Sequence, residues 1–400
     1  MKKLLGSVAI APLVLAIGTV AAAAQDRPEG IRAGAFYLMP SIEGSVRYDD
    51  NIFLETGGLA DSDIIMNVSP NLIIRSARRV HLLELDTGVS ADFHADNGSD
   101  DTLDAHARLR GRYDISKRSS VRAGVSVERA HDNRGDDNTA LQEEPTRRNV
   151  YRGEVGARTK PNRMSFSING DVQVEDYEDA DNNNNDDDRD VTIYGVGGRV
   201  GYEARKAYTV FIEGRYDIRD FNDAVDDGGI QRSSDGYRVR VGLAYRPTPK
   251  TSAEFGVGYL SRSFDEPTFG DVDGLDAKIG VKWELPNRNS TLGVKLSRTV
   301  AEATDIDVAG RLTTTFDVTL THKFRSKWTA EGKLGYTNAE EDGGAGNKDD
   351  DTYRAGISAD YNFTRRVRAG AFYRYERKVS NEVDQGHLNN VVGVRLRIGY

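Results

Sequence analysis

The sequence predicts an all-β fold: a closed antiparallel transmembrane β-barrel of about 18 strands (16–18). Three observations predict it. Segments alternate apolar and polar residues with period two along the chain. The connections between them alternate between two kinds. Beyond the N-terminus, no apolar run reaches the roughly 20 residues that a membrane-spanning helix needs. The clearest segment closes the chain. Val392, Val394, Leu396, Ile398 and Tyr400 share one parity, while Gly393, Arg395, Arg397 and Gly399 share the other. An apolar face that recurs from strand to strand, with no helices to cover it, has lipid as its partner.

The 400 residues are 38% hydrophobic and 29% charged, too polar for a bundle of membrane helices. At the N-terminus, Lys2 and Lys3 precede an apolar stretch from Leu4 to Val20, and Ala21 to Ala24 form a small-residue box. These are the three parts of a secretory signal. The expected organisation is a signal peptide over 1–24, a short periplasmic N-terminal segment over 25–34 and the barrel over 35–400. A segment of that length leaves no room for an N-terminal plug. Because 18 strands enclose a lumen too wide for side chains to fill, water, inward-folded loops or another protein is expected inside. The chain has no cysteine, which excludes disulfides, thiol catalysis, cysteine-ligated metals and a lipid anchor on cysteine. A net charge of −9 and a pI near 5.4 do not suggest a nucleic-acid partner.

From residue 35 onward, one class of connection is short, basic and turn-forming. In order these are 77–79, 116–118, Pro161-Asn162-Arg163, Arg205-Lys206, Pro247-Thr248-Pro249-Lys250, Pro286-Asn287-Arg288, Arg325-Ser326-Lys327 and Arg365-Arg366. The other class is mostly longer and rich in acid, Asn and Gly. It covers 49–62, 96–101, 132–144, 176–190, 220–227, 265–273, 302–308, 338–351 and 380–387. Short turns facing the periplasm, longer external loops and an even strand number are the outer-membrane pattern. Both termini then lie on the periplasmic side.

The segments between keep their faces. Val121, Ala123, Val125 and Val127 oppose Arg122, Ser126 and Glu128. Met164, Phe166, Ile168 and Val172 oppose Ser165, Ser167, Asn169 and Asp171. Tyr237, Val239, Val241, Leu243 and Tyr245 oppose Arg238, Arg240 and Arg246. Leu275, Ala277, Ile279, Val281 and Trp283 oppose Asp276, Lys278, Lys282 and Glu284. A charge on the lipid face costs about 2–4 kcal/mol at the midplane, so the polar set is expected to line the lumen.

That set is rich in arginine, which binds carboxylates and phosphates through a planar fork. Arg108, Arg110 and Arg112 form a ladder with Glu84, Asp86, Asp92 and Glu128 as expected ion-pair partners. A second group gathers at the seam where the last strand meets the first: Arg47, Arg368, Arg374, Arg395 and Arg397, against Glu43 and Glu376. A third comprises Arg215, Arg219, Arg238, Arg240, Arg246 and Arg262, against Glu213 and Glu254. The expected lumen-lining residues are Arg47, Arg368, Arg374, Arg395, Arg397, Arg238, Arg240 and Arg246. Where bases outnumber acids, some guanidinium groups should face the channel, and basic rings favour anions.

No catalytic residues, cofactor or metal ligands are expected. His94 and His106, with Asp92, Asp96, Asp100, Asp101 and Asp104 around them, are expected to lie near one another. No nucleophile accompanies them in a distinctive motif. The tract from Asp179 to Asp190 lacks the Gly-punctuated spacing of a calcium loop and reads as a solvated external loop.

Two short stretches carry a resemblance. The segment 40–53, ending in Tyr48-Asp49-Asp50-Asn51-Ile52-Phe53, and the segment Ser62-Asp63-Ile64-Ile65 followed by Val68-Ser69-Pro70-Asn71-Leu72 resemble a family of outer-membrane β-barrel porins found beside exopolysaccharide synthesis and export genes. The resemblance implies an outer-membrane location and passage of secreted polysaccharide; it implies no catalytic residues. The Asp49-Asp50-Asn51 turn is expected to close the first external loop through side-chain-to-backbone hydrogen bonds. The expected function is a conduit for an acidic exopolysaccharide. The alternatives are a general or anion-preferring diffusion porin and a structural or adhesive surface barrel. Expected partners are outer-membrane lipid and lipopolysaccharide, the assembly machinery through Tyr400, and polysaccharide with periplasmic export proteins.

Overall fold

The structure is a computed structural model. It describes residues 30–78, 80–134, 144–178, 187–226, 229–287, 289–301, 310–324, 327–342, 348–382 and 385–400. The expected signal peptide, Arg79, Arg288, Arg325, the Asn182–Asn185 tract and the loop at 302–308 lie outside the described residues, as does all of 25–34 before Gly30.

A three-residue strand β1 (Ile31–Ala33) precedes the wall. The wall begins with β2 (Phe36–Asp49), β3 (Asp63–Ser76), β4 (Leu82–His94), β5 (Thr102–Ser116), β6 (Ser119–Asp132) and β7 (Thr146–Thr159). It continues through β8 (Met164–Tyr177), β9 (Val191–Arg205), β10 (Tyr208–Phe221), β11 (Ser234–Thr248), β12 (Thr251–Phe264) and β13 (Val272–Glu284). It ends with β14 (Ser290–Ala301), β15 (Gly310–Phe324), β16 (Trp328–Asp342), β17 (Asp349–Asn362), β18 (Val367–Ser380) and β19 (His387–Gly399). Each wall strand pairs antiparallel with the next, and β19 pairs with β2 from Val391↔Asp49 to Gly399↔Ser41. The barrel is therefore closed with 18 strands, and no wall strand is left at an edge. β1 takes up the free part of β2 below β19, with Ile31 opposite Leu38.

The two faces follow the sequence parity. Val392, Val394, Leu396 and Ile398 are exposed on the outside, as are Val125, Val155, Ile168, Val241 and Ile357. Their neighbours in sequence carry the charges and point inward, where they pair with one another. Aromatics flank the apolar band. Tyr208 and Tyr245 pack at 4.7 Å, and Trp328 and Tyr361 at 4.9 Å, beside the short turns. Asn162, in one of those turns, has φ 52°, a left-handed conformation that Asn tolerates better than most residues.

The Asp49-Asp50-Asn51 turn acts as a clamp. Asn51 Nδ2 donates to the Glu55 carbonyl at 2.8 Å, and Asn51 Oδ1 accepts from Glu55 N at 2.9 Å, closing the loop as expected. The same Nδ2 donates to Leu388 O at 2.9 Å, while Asp50 accepts from Asn390 N at 2.6 Å and Asn390 Nδ2 at 2.8 Å. With Asp49 at the end of β2 accepting from Asn389 Nδ2 at 2.8 Å, three consecutive residues thus bolt the outer end of the last strand to the first.

The wall parts between two strands on one side. Pairing of β13 with β14 ends at Lys278↔Ser297, although β13 runs on to Val272 and β14 to Ala301. Above that point the ends of β14 and β15 lean into the lumen. Val300 and Leu312 have lipid-facing parity, yet each is only 9% exposed. They pack with Leu260 and Val272, which have lumen-facing parity, in one apolar cluster. Arg219, on β10, reaches across to donate to Val300 O at 3.2 Å.

The acidic stretch expected as a loop over 338–351 is strand at both ends, over 338–342 and 349–351. Asn338 pairs with Asp351 and Glu340 with Asp349. Tyr336 Oη donates to Asp351 at 2.6 Å, and Lys378 holds Asp350 at 3.1 Å, so these two acids are accommodated on the wall.

Candidate lumen site

Where the inward side chains are long, glycines on neighbouring strands let them lie flat. A Cβ on Gly156 would come within 2.9 Å of Arg122 Nε, and one on Gly236 within 3.0 Å of the Arg262 guanidinium. Gly393 lies in the same way under the Phe372 ring, where a Cβ would stand 2.6 Å from the ring.

Ion pairing then divides the expected lining residues into two sets. Arg47 is bound to Asp92 at 2.7 Å. Arg395 grips Asp360 with two hydrogen bonds, at 2.9 and 2.7 Å. Arg240 is buried between Glu213 at 2.5 Å and Asp276 at 2.7 Å, so it braces the wall and does not face the channel as a free cation. Arg246 stands 4.0 Å from Glu254. The others have no acid within ion-pair distance among the described residues. Arg368 donates to Asn362 Oδ1 at 3.0 Å, Arg397 to Ser41 Oγ at 3.4 Å, Arg374 lies 5.4 Å from the Phe372 ring, and Arg238 faces the cavity described below.

In the third group, Arg215 holds Asp171 in a bidentate pair at 2.8 Å, and Arg262 is bonded to Asp217. The ladder pairs largely as expected: Arg108 with Glu128 at 2.7 Å and Arg110 with Glu84 at 2.5 Å, while Arg112 takes Asp114 at 3.1 Å.

Sequence reasoning set Arg122 and Lys282 on the lumen face without singling them out, and it missed Arg158 and Lys323. Arg122, Arg158, Lys282 and Lys323 join Arg368 and Arg397 near the periplasmic ends of β6, β7, β13, β15, β18 and β19. Among the described residues, none of these six has an acid within ion-pair distance. Several acids at the same end are already engaged, Glu84 by Arg75 and Arg110, Glu203 by Lys160 and Glu284 by Lys250, while Glu43 stands opposite Arg397 across the seam but outside ion-pair distance. At the external mouth, several cations among the described residues are matched instead. Arg134 holds Asp100 at 2.7 Å, Arg189 holds Asp132 at 2.8 Å, and Arg311 is bonded to Glu341. A collar of unmatched cations therefore rings the inner wall at the periplasmic end. The signal was present in the sequence as inward parity next to a basic turn. Whether each cation was matched depended on the register.

Between β8 and β14 the inner wall holds a cavity of 290 Å³. Its lining includes eight basic side chains, among them Arg199, Arg238, Lys278, Lys282 and Lys295, but only two acids, Glu213 and Glu254. Both acids are engaged. Arg199 donates to Glu254 at 2.9 and 3.1 Å, lies 3.4 Å over the Phe211 ring and reaches Glu213 at 3.3 Å.

The histidines do not form a pair. His106 stands opposite Gly88, six residues along β4 from His94, which is about 20 Å at strand spacing. Each faces its own acid: His94 is 3.5 Å from Asp101 and His106 is 3.7 Å from Asp86. Among the described residues, no group of three or more His, Asp or Glu side chains could hold a metal ion.

A closed barrel with a lipid-facing apolar band and a charged lumen defines an outer-membrane protein of the porin class. The chain belongs to the family described as "Putative beta-barrel porin 2", whose model matches residues 26–400. No curated relative matches the chain. Solved structures similar in fold include OccK5 (OpdH) of Pseudomonas aeruginosa, at 12% identity and TM-score 0.45, with 91% of this chain and 98% of that one covered. The siderophore receptor PirA of the same organism matches at 9% identity and TM-score 0.44, with 90% and 80% covered. A bacterial polysaccharide outer membrane secretin matches at 10% identity and TM-score 0.39, with 91% and 98% covered.

Proposed function

We propose that this barrel is an outer-membrane conduit through which an acidic exopolysaccharide leaves the periplasm. The observation that carries the reading is the collar. Cations without acid partners gather at the periplasmic end of the lumen, while several at the external mouth are neutralised. Such a gradient concentrates polyanions where export begins and does not hold them where it ends, because matched charges present little net field. Paired arginines along the middle of the wall offer exchangeable partners to a passing carboxylate. The expected signal peptide over 1–24 and recognition of Tyr400 by the assembly machinery belong to the same reading. Tyr400 is in place at the seam, its amide donating to Pro40 O at 3.1 Å and its ring under the Arg366 guanidinium at 3.9 Å.

The test is release of labelled oligosaccharides from proteoliposomes. An acidic oligomer should leave faster than a neutral one of equal length, and replacing Arg122, Arg158, Lys282 and Arg397 with Gln should remove the difference. Equal release of both oligomers by the unaltered protein would favour the diffusion porin. Release of neither would favour a surface structural role.

A further inference from the structure

We infer that the recess around Gly280 is a binding station for a single acidic sugar unit; this rests on the conduit reading above. Gly280 sits on the inward face of β13, directly between Glu254 of β12 and Lys295 of β14. A Cβ added to it would meet nothing within 4 Å, unlike the lumen glycines that lie beneath arginines. The wall is therefore hollow at this point. Its volume, 290 Å³, lies just below the range for small-molecule sites, about 300–1,000 Å³, and suits one ring rather than a length of polymer.

The lining suits the chemistry of a sugar acid. Lys282 and Lys295 flank the hollow and have no acid partner among the described residues, so they are available to a carboxylate. Arg238, in the same lining, is likewise without an acid. Ser167, Asn169 and Ser252 supply neutral donors and acceptors for hydroxyls. Glu213 and Glu254 are neutralised by Arg199, Arg240 and Lys278 and keep lone pairs that accept from sugar hydroxyls, which a bare phosphate does not offer. Cations for the carboxylate and neutral or anionic acceptors for hydroxyls thus occupy one recess. A polymer moving along the lumen would pause there one unit at a time. The remaining wall is dominated by matched pairs.

The experiment is block of single-channel current by glucuronate, glucose and inorganic phosphate, with calorimetric titration of glucuronate into the folded barrel. Glucuronate is expected to block saturably, glucose not at all, and phosphate only weakly. Gly280→Trp fills the hollow and leaves every charge in place. Arg238→Gln with Lys295→Gln keeps the space and removes the charge. Each should raise the half-blocking glucuronate concentration about tenfold, the effect of losing a charge-assisted contact, while open-channel current persists. Block unchanged in both variants would overturn the station, as would phosphate blocking as well as glucuronate. The conduit reading fails separately. Saturable glucuronate binding, lost in both variants, in a barrel that passes no current would retain the station and remove the conduit. Anion current without saturable binding would do the reverse.

Discussion

Asn51 shows how much one side chain can hold. It is 1% exposed, and both ends of its amide are used, toward Glu55 within its own loop and toward Leu388 on the last strand. Removing a buried amide leaves several backbone groups without partners, at about 1–3 kcal/mol for each one left dry. Asn51→Ala is therefore expected to lower barrel stability by about 2 kcal/mol, read as a fall in the urea midpoint of refolded protein. An unchanged midpoint would mean that water replaces the clamp. Glu266 makes a pH-dependent contact in an external loop. Its carboxyl accepts from Thr268 Oγ1 at 2.8 Å, Thr268 N at 3.2 Å and Gln231 N at 3.3 Å, and these bonds hold it below the ordinary carboxylate value. A depressed acid contributes stability above its unfolded value of 4.5 and loses it as the pH falls through the lower folded value. The Gln231 amide should therefore lose protection from exchange below pH 4.5, after correction for intrinsic rates, whereas in Glu266→Gln its protection should not change with acid.

At the scale of elements, the strands could be read from the chain because period two and the alternation of turns both point to one architecture. Val121 to Val127 and Leu275 to Trp283 lie where parity assigns them. Parity fails where pairing stops. Val300 continues the outward series Leu292, Val294, Leu296, and simple continuation of the register would set it beside Leu275 on the lipid face. Instead it lies inside, against Leu260 and Val272, because β14 parts from β13 above Ser297. The one local sign is Arg298, which shares the outward parity of Leu296 and Val300 and would carry a charge on the lipid face had the strand continued there. The partners of the arginines were hidden for a related reason. Arg199 on β9 reaches Glu254 on β12, and Arg215 on β10 reaches Asp171 on β8, across intervening strands of a concave wall. The inward lean of β14 and β15 narrows the lumen at its external end. Leu260→Asp places a charge in that apolar cluster and leaves β14 free to resume pairing with β13, so single-channel conductance should rise. Conductance equal to that of the unaltered protein would show that the lean does not limit the path.

For the whole molecule, the arrangement of charge along the axis sets what can pass. The chain carries a net charge of −9, yet the described periplasmic end of the lumen is cationic and several cations of the external mouth are matched. Net charge and lumen charge therefore differ in sign, because much of the acid lies in external connections or is spent in pairs. The seam arginines expected to dominate are split: Arg47 and Arg395 are held by acids, while Arg368 and Arg397 belong to the collar. Seam substitutions alone should therefore alter selectivity less than substitutions spread round the collar. The measurement that tests this most directly is the reversal potential of the refolded barrel across a potassium chloride gradient. It would be made on the unaltered protein and on the Arg122→Gln, Arg158→Gln, Lys282→Gln, Arg397→Gln variant. An anion-selective potential that collapses toward zero in the variant is the predicted result. A cation-selective potential, or an anion-selective one that the variant retains, would contradict a conduit governed by its periplasmic collar.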